Sequence, residues 1–213
     1  MILEDFVMLG KTVPERDRQG RTTVCSAGWS PELRQLVRVY PLAKSGAPAD
    51  FSVSSVKLER NGRDIRAESW AIGGDRGVSV HENINSRFDV KYILNDTGSL
   101  LSTIPRVESI REANSKKLSL AFIKPEHVKF SLERSKNYFR GKEVGSKAYK
   151  WVPRLKFKTG DSSHNIKILN QSAYATLNKD SKVGYNYKLP KNPILLIGNM
   201  FAYRNNWLVI SAW

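Results

Sequence analysis

The sequence predicts an α+β fold dominated by short strands. Two observations carry that prediction. Apolar and β-branched residues alternate with polar ones over many runs of strand length, and turn-forming residues separate those runs at short intervals. Helical spacing is confined to residues 80–115 and 172–178, plus one turn at 31–35. Hydrophobic residues make up 40% of the 213 residues and charged residues 26%. That content supports a buried core and excludes wholesale disorder.

The first five strands are expected at 6–9, 21–27, 36–40, 51–58 and 67–72. Pro41 is expected to stop the third, because proline cannot donate to a ladder. Asn61-Gly62 is the strongest hairpin signal in the chain, since both residues tolerate positive φ. Five short strands in this span predict a small β-barrel of the OB or SH3 kind over residues 1–75.

Gly73-Gly74-Asp75-Arg76-Gly77 reads as a joint. Residues 76–115 read as a helical connector. Phe88, Tyr92 and Ile93 have helical spacing, as do Ile104, Val107 and Ile110, with Ser102 or Thr103 as N-cap and Pro105 in the first turn. Residues 116–213 read as a basic, β-rich region of mixed α/β content. Its strands are expected at 118–123 (ended by Pro125), 128–132, 151–158, 165–169, 194–199 and 207–210. A loop is expected over 134–150, and a hairpin turn at Arg204-Asn205-Asn206. No internal repeat and no low-complexity tract stand out in the sequence.

The formal net charge is +15, and it is unevenly placed. Residues 1–110 hold 15 Lys and Arg against 14 Asp and Glu, whereas residues 111–213 hold 20 against 6. Such asymmetry points to a polyanion-binding surface in the second half. The near-neutral first half suits a docking module for other protein subunits.

The densest stretch is 116–158, with thirteen basic residues and three acids, Glu126, Glu133 and Glu143. Phosphates need cations, and unpaired bases need flat rings to stack on. The expected nucleic-acid-binding set is Lys124, Lys129, Arg134, Lys136, Tyr138, Phe139, Arg140, Lys142, Lys147, Tyr149, Lys150, Arg154, Lys156 and Lys158. On the 151–158 strand, Arg154, Lys156 and Lys158 should share one face, with Trp151, Leu155 and Phe157 on the other. Tyr138, Phe139 and Tyr149 are the expected stacking rings.

Thr159-Gly160-Asp161-Ser162-Ser163-His164 occupies a place where a zinc knuckle would hold cysteines, but hydroxyls are not ordinary zinc ligands. It reads as a hairpin turn. His81, His127 and His164 are the candidates for metal-independent RNA cleavage, one as base and one as acid. The acids of the second half follow no metal-nuclease spacing, and Gly73–Gly77 lacks the Lys-Ser/Thr of a phosphate-binding loop. Cys25 is alone, so no internal disulfide forms. No apolar run reaches membrane-span length and no leader pattern opens the chain, so a cytoplasmic location is expected. No metal or cofactor is expected.

The leading expectation is a nucleic-acid-binding protein, a non-catalytic subunit of a nucleoprotein assembly, acting on RNA or DNA through 116–158. The alternatives are a small nuclease using His81, His127 or His164, and a protein-interaction or inhibitor module with an acidic partner.

Overall fold

The computed structural model describes all residues except Arg18, 44–46, Pro48, Phe51, Asn61, Arg63, 73–77, 84–105 and Lys142. The Asn61-Gly62 turn, the 73–77 joint and the helical spacing at 84–105 therefore lie outside or only partly inside the described residues. The fold is mostly β, with mixed sheets and few helices. No helix among the described residues is long and apolar enough to cross a membrane.

The first sheet holds β1 (Ile2–Lys11), β2 (Glu15–Arg16), β3 (Thr22–Ser30), β4 (Gln35–Ala43), β5 (Ser52–Arg60), β6 (Ser69–Ile72) and β7 (Val78–Asn83). β1 is long enough to be shared. Its first part pairs with β5 and its second with β3. From β3 the pairing continues to β4, then in parallel to β6, and back through β5 to β1. β7 pairs with β5, so the sheet extends past residue 75. Alternate side chains of these strands, Leu3, Phe6, Met8, Val24, Val37, Val39, Val56 and Leu58 among them, bury together as one core.

The second half forms two sheets. β9 (Leu120–Ile123), β13 (Leu195–Asn199) and β14 (Trp207–Ala212), with the short β8 (Arg106–Val107), make a four-stranded sheet. β10 (Glu126–Arg134), β11 (Trp151–Thr159) and β12 (Ser162–Lys167) make a three-stranded one. Only Lys124 and Pro125 separate β9 from β10, and a parallel bridge joins Ile168 to Val209 of β14. The walk β9/β10–β11–β12–β14–β13–β9 thus repeats the order β1–β3–β4–β6–β5–β1, with its parallel step in the same place. The sequence showed no repeat, but the pairing does. Packing can preserve such an order while the side chains diverge, because it asks only for apolar residues of suitable volume.

The four-stranded sheet is buried on both faces. Ala121, Ile123, Leu195, Ile197 and Val209 face Leu155, Phe157, Ile166 and Ile168. Leu120, Phe122, Leu196, Ile210 and Trp213 face Val7, Leu9, Ala27, Trp29 and Leu36 of the first sheet. This two-sided burial explains why 120–123 and 195–198 read as unbroken apolar runs. Polar clamps reinforce the seam. Buried Arg38 donates to the Ser119 carbonyl at 2.8 Å. Arg66 donates to the Asn199 carbonyl at 3.1 Å.

Two sequence expectations are corrected. β4 runs through Pro41 to Ala43. The β3–β4 register shifts between Val24 and Ser26, so Tyr40 and Pro41 sit in the irregular stretch where a missing N–H is tolerated. Val107 is in a strand, paired in parallel with Ile123, and not in a helix with Ile110. The helix α1 (Ile110–Ser115) begins after it, capped by the Ser109 hydroxyl, which accepts from the Glu112 N–H at 3.1 Å. A second short helix, α2 (Gln171–Ala175), is capped by Asn170.

Candidate nucleic-acid interface

β11 is built on strict alternation. Val152 aside, its buried residues Pro153, Leu155, Phe157 and Thr159 alternate with Arg154, Lys156 and Lys158. The cross-strand register extends the second set. Lys129 lies opposite Lys156, Ser131 opposite Arg154, and Glu126 opposite Lys158. On the other side, Lys167, Asn165 and Ser163 lie opposite the same three basic residues. Directly opposed residues share a face, so one face of the three-stranded sheet carries Lys129, Arg154, Lys156, Lys158 and Lys167. Lys129, Lys156 and Lys158 are exposed.

Glu133 organises this face. Its carboxylate lies 3.3 Å from Arg154 Nε and 3.2 Å from Lys156 Nζ, and it accepts from Asn165 Nδ2 at 3.1 Å. Partial burial opposes its charge, but the bonds from Asn165 and Lys156 and the Arg154 charge hold it below the usual glutamate range. Arg154 also donates Nε to Asn165 Oδ1 at 2.8 Å. One acid thus orients two cations and leaves the face with a positive balance. Among the described residues no carboxylate forms an ion pair with Lys129 or Lys158.

Lys167 is the half-buried, least exposed lysine of the face. Burial pulls its ammonium down to about 8, the nearby Glu15 charge partly offsets this, and Arg154 and Lys147 push it further down. The unfolded value is about 10.4, so between about pH 8 and 10 the unfolded chain holds this proton more tightly. Stability contributed here therefore rises with pH across that window. Denaturant midpoints of wild type and Lys167→Met at pH 7.5 and 9.5 test this. The difference should move in favour of wild type at the higher pH, and an unchanged difference would contradict it.

The basic loop between β10 and β11 is anchored. Ser146 N–H donates to Glu15 Oε1 at 3.0 Å, Arg16 pairs with Glu143, and Lys179 Nζ donates to the Glu143 carbonyl at 2.7 Å. Gly145 has φ 92°, and a Cβ there would lie 2.1 Å from Glu15 Oε2, so only glycine fits. Arg134, Lys136, Arg140 and Lys147 are exposed, as is Lys124 between β9 and β10. Lys150 is half-buried, its N–H given to the Lys179 carbonyl at 2.7 Å. Lys142 lies outside the described residues.

The three expected stacking rings differ in availability. Phe139 is 67% exposed. Tyr138 is half-buried and donates its hydroxyl to Asp180 at 2.6 Å, which raises its pKa. Tyr149 packs edge-on against Tyr174 at 4.9 Å in a buried cluster with Val13 and Leu177, and burial raises its pKa too. Its ring is committed to the fold.

Two rings that the sequence reading passed over are open. Phe201 is 48% and Tyr203 62% exposed, in the β13–β14 connection. The signal was present: both fall between a strand that ends at Asn199 and the Arg204-Asn205-Asn206 turn, where no side chain reaches a core.

The histidines lie apart in the topology. His81 is in β7 of the first sheet, and its side chain lies outside the described set. His127 is exposed at a bulge of β10, with φ 50°. His164 is on the core side of β12, its Nε2 2.7 Å from Thr159 Oγ1 and its ring 5.2 Å from Phe157. Burial lowers its pKa. Thr159 and Ser162 close the β11–β12 hairpin as a register pair. Among the described residues no three His, Cys, Asp or Glu side chains converge as a metal site. Cys25 is half-buried, with Arg38 Nη1 3.5 Å from its sulfur.

Residues 3–92 match a family described as a domain of unknown function, DUF8758, which takes in the first sheet and stops short of the basic half. No curated protein matches the chain.

Proposed function

We propose that this protein binds nucleic acid, RNA or DNA, through the outward face of the β10–β11–β12 sheet, as a binding subunit of a nucleoprotein assembly and not as a catalyst. The observation that carries the reading is the juxtaposition of Lys129, Arg154, Lys156 and Lys158 on one sheet face beside a basic, anchored loop. Cations fixed on a rigid sheet meet a phosphate chain at little entropic cost.

The pairing order supports reading each half as a small five-stranded barrel of the OB kind. In such barrels the second and third strands and the loops around them hold oligonucleotides. In the first half the corresponding strands, β3 and β4, contribute Ala27, Trp29 and Leu36 to the seam against the four-stranded sheet. In the second half they are β11 and β12, whose face carries the lysines. A fold of this kind does not by itself fix function, so the weight rests on the charged face. Other subunits, on this reading, dock on the remaining surface of the first half.

The test is affinity for single- and double-stranded DNA and RNA across a salt series. Wild type should show log K falling steeply with log salt. The triple variant Lys129→Glu, Lys156→Glu, Lys158→Glu should flatten that slope by about 2 to 3, close to one unit per lost phosphate contact. A flat wild-type plot would sink the reading.

A further inference from the structure

The β13–β14 connection, 200–206, presents an unusual surface. Its backbone is closed on itself. Met200 N–H donates to the Asn206 carbonyl at 3.2 Å and Asn206 N–H to the Tyr203 carbonyl at 2.9 Å. Yet Met200, Phe201 and Tyr203 are 42%, 48% and 62% exposed. Holding three large apolar side chains in water on an ordered hairpin costs free energy that packing does not return.

Two guanidiniums flank the Phe201 ring. The guanidinium carbons of Arg66 and Arg204 each lie 5.7 Å from the Phe201 ring centroid. Arg66 reaches there from the β5–β6 connection of the other half and is held rigidly. Its Nη1 donates to both the carbonyl and Oδ1 of Asn199 at 3.1 Å, and Nε donates to Asp64 at 2.8 Å. Exposed Lys117 is brought to the same end, because Asn199 donates Nδ2 to the Leu118 carbonyl at 3.2 Å. Two acids near this end are engaged: Asp64 by Arg66 and Ser69, and Glu112 by Lys116.

We propose that this tip is a stacking site for unpaired nucleobases, with Phe201 and Tyr203 as the rings, Arg204 and Lys117 as partners for the flanking phosphates, and the buried Arg66–Asp64 pair fixing the support beneath Phe201. Flat rings with guanidiniums beside them fit a base and its phosphate together. A purely apolar protein partner would leave Arg204 and Lys117 desolvated without counter-charge. The proposal takes from the preceding section only the class of ligand. It adds a second locus and a preference for single strands, since bases in a duplex offer no open face.

The experiment uses the full chain and a short oligothymidylate, with a hairpin duplex of equal charge for comparison. Phe201→Ala with Tyr203→Ala should weaken oligothymidylate binding by roughly 5- to 150-fold for each stacked base lost, and leave the salt slope and the duplex affinity unchanged. A companion oligonucleotide carrying one 5-iodouracil should photo-crosslink to the tryptic peptide 192–204. Crosslinking only to peptide 137–140, which holds Tyr138 and Phe139, would overturn the proposal. So would equal weakening on single strand and duplex, or a wild-type protein whose self-association, and not its oligonucleotide binding, depends on these two rings. The lysine-face triple variant separates the two readings. If the face fails and the tip holds, it still crosslinks through 192–204 with its duplex affinity unaltered. If the tip fails and the face holds, duplex binding weakens while no crosslink forms at 192–204.

Discussion

Trp213→Ala is expected to lower the unfolding free energy by about 3 to 5 kcal/mol, the range for deleting a fully buried tryptophan. Trp213 is 0% exposed and packs with Leu120, Phe122, Leu196 and Ile210 against Val7, Leu9 and Trp29. Its ring centroid is 5.6 Å from that of Phe122. Its backbone is held twice to Ile194, N–H to carbonyl in both directions, at 3.1 and 2.9 Å. The truncation leaves a cavity where the two halves meet, and neither half can collapse into it without breaking the ladder. Urea midpoints measure the loss. Trp213→Phe should recover a large part of it, and an Ala variant within about 0.5 kcal/mol of wild type would show that the seam does not hold the halves together.

Gly28→Ala is expected to cost about 3 kcal/mol, at the upper end for overpacking. Gly28 faces Met8 across the β1–β3 ladder. A Cβ there would lie 2.3 Å from the Phe6 ring and 2.4 Å from the Val7 carbonyl oxygen. Phe6 is buried in the first core and the carbonyl is backbone, so neither can yield cheaply. Gly62→Ala is the control. It is exposed, and a Cβ there meets nothing within 4 Å, so the expected change is within about 0.5 kcal/mol. Equal midpoints for the two variants would refute the close approach.

The sequence made the strands legible wherever burial imposed a period. β11 alternates because one side faces Ile166 and Leu195 while the other faces water, and that alone put Arg154, Lys156 and Lys158 together. β9 and β13 read as continuous apolar runs because both of their faces are covered. The order of pairing was not legible. It joins β1 to β5 and β12 to β14 across long intervals, and no local propensity encodes such contacts. Tyr149 shows the same limit in the candidate site. Its neighbours mark it as a loop aromatic beside lysines, whereas its environment is set by Tyr174 and Val13, far along the chain in both directions. Phe201 and Tyr203 were missed for the opposite reason. An aromatic is read by default as core, and only the hairpin around these two shows that no core is within reach.

The two-faced strands bear on how the protein can be dissected. A fragment carrying residues 116–213 looks like a minimal polyanion binder, yet cutting it free strips Leu120, Phe122, Leu196, Ile210 and Trp213 of their cover. The torn surface would be greasy and adjoin a strongly cationic one. Such a fragment would adhere to chromatography resins, vesicles and unrelated proteins alike, and its apparent affinities would describe the wound and not the molecule. Point variants in the intact chain avoid that artefact.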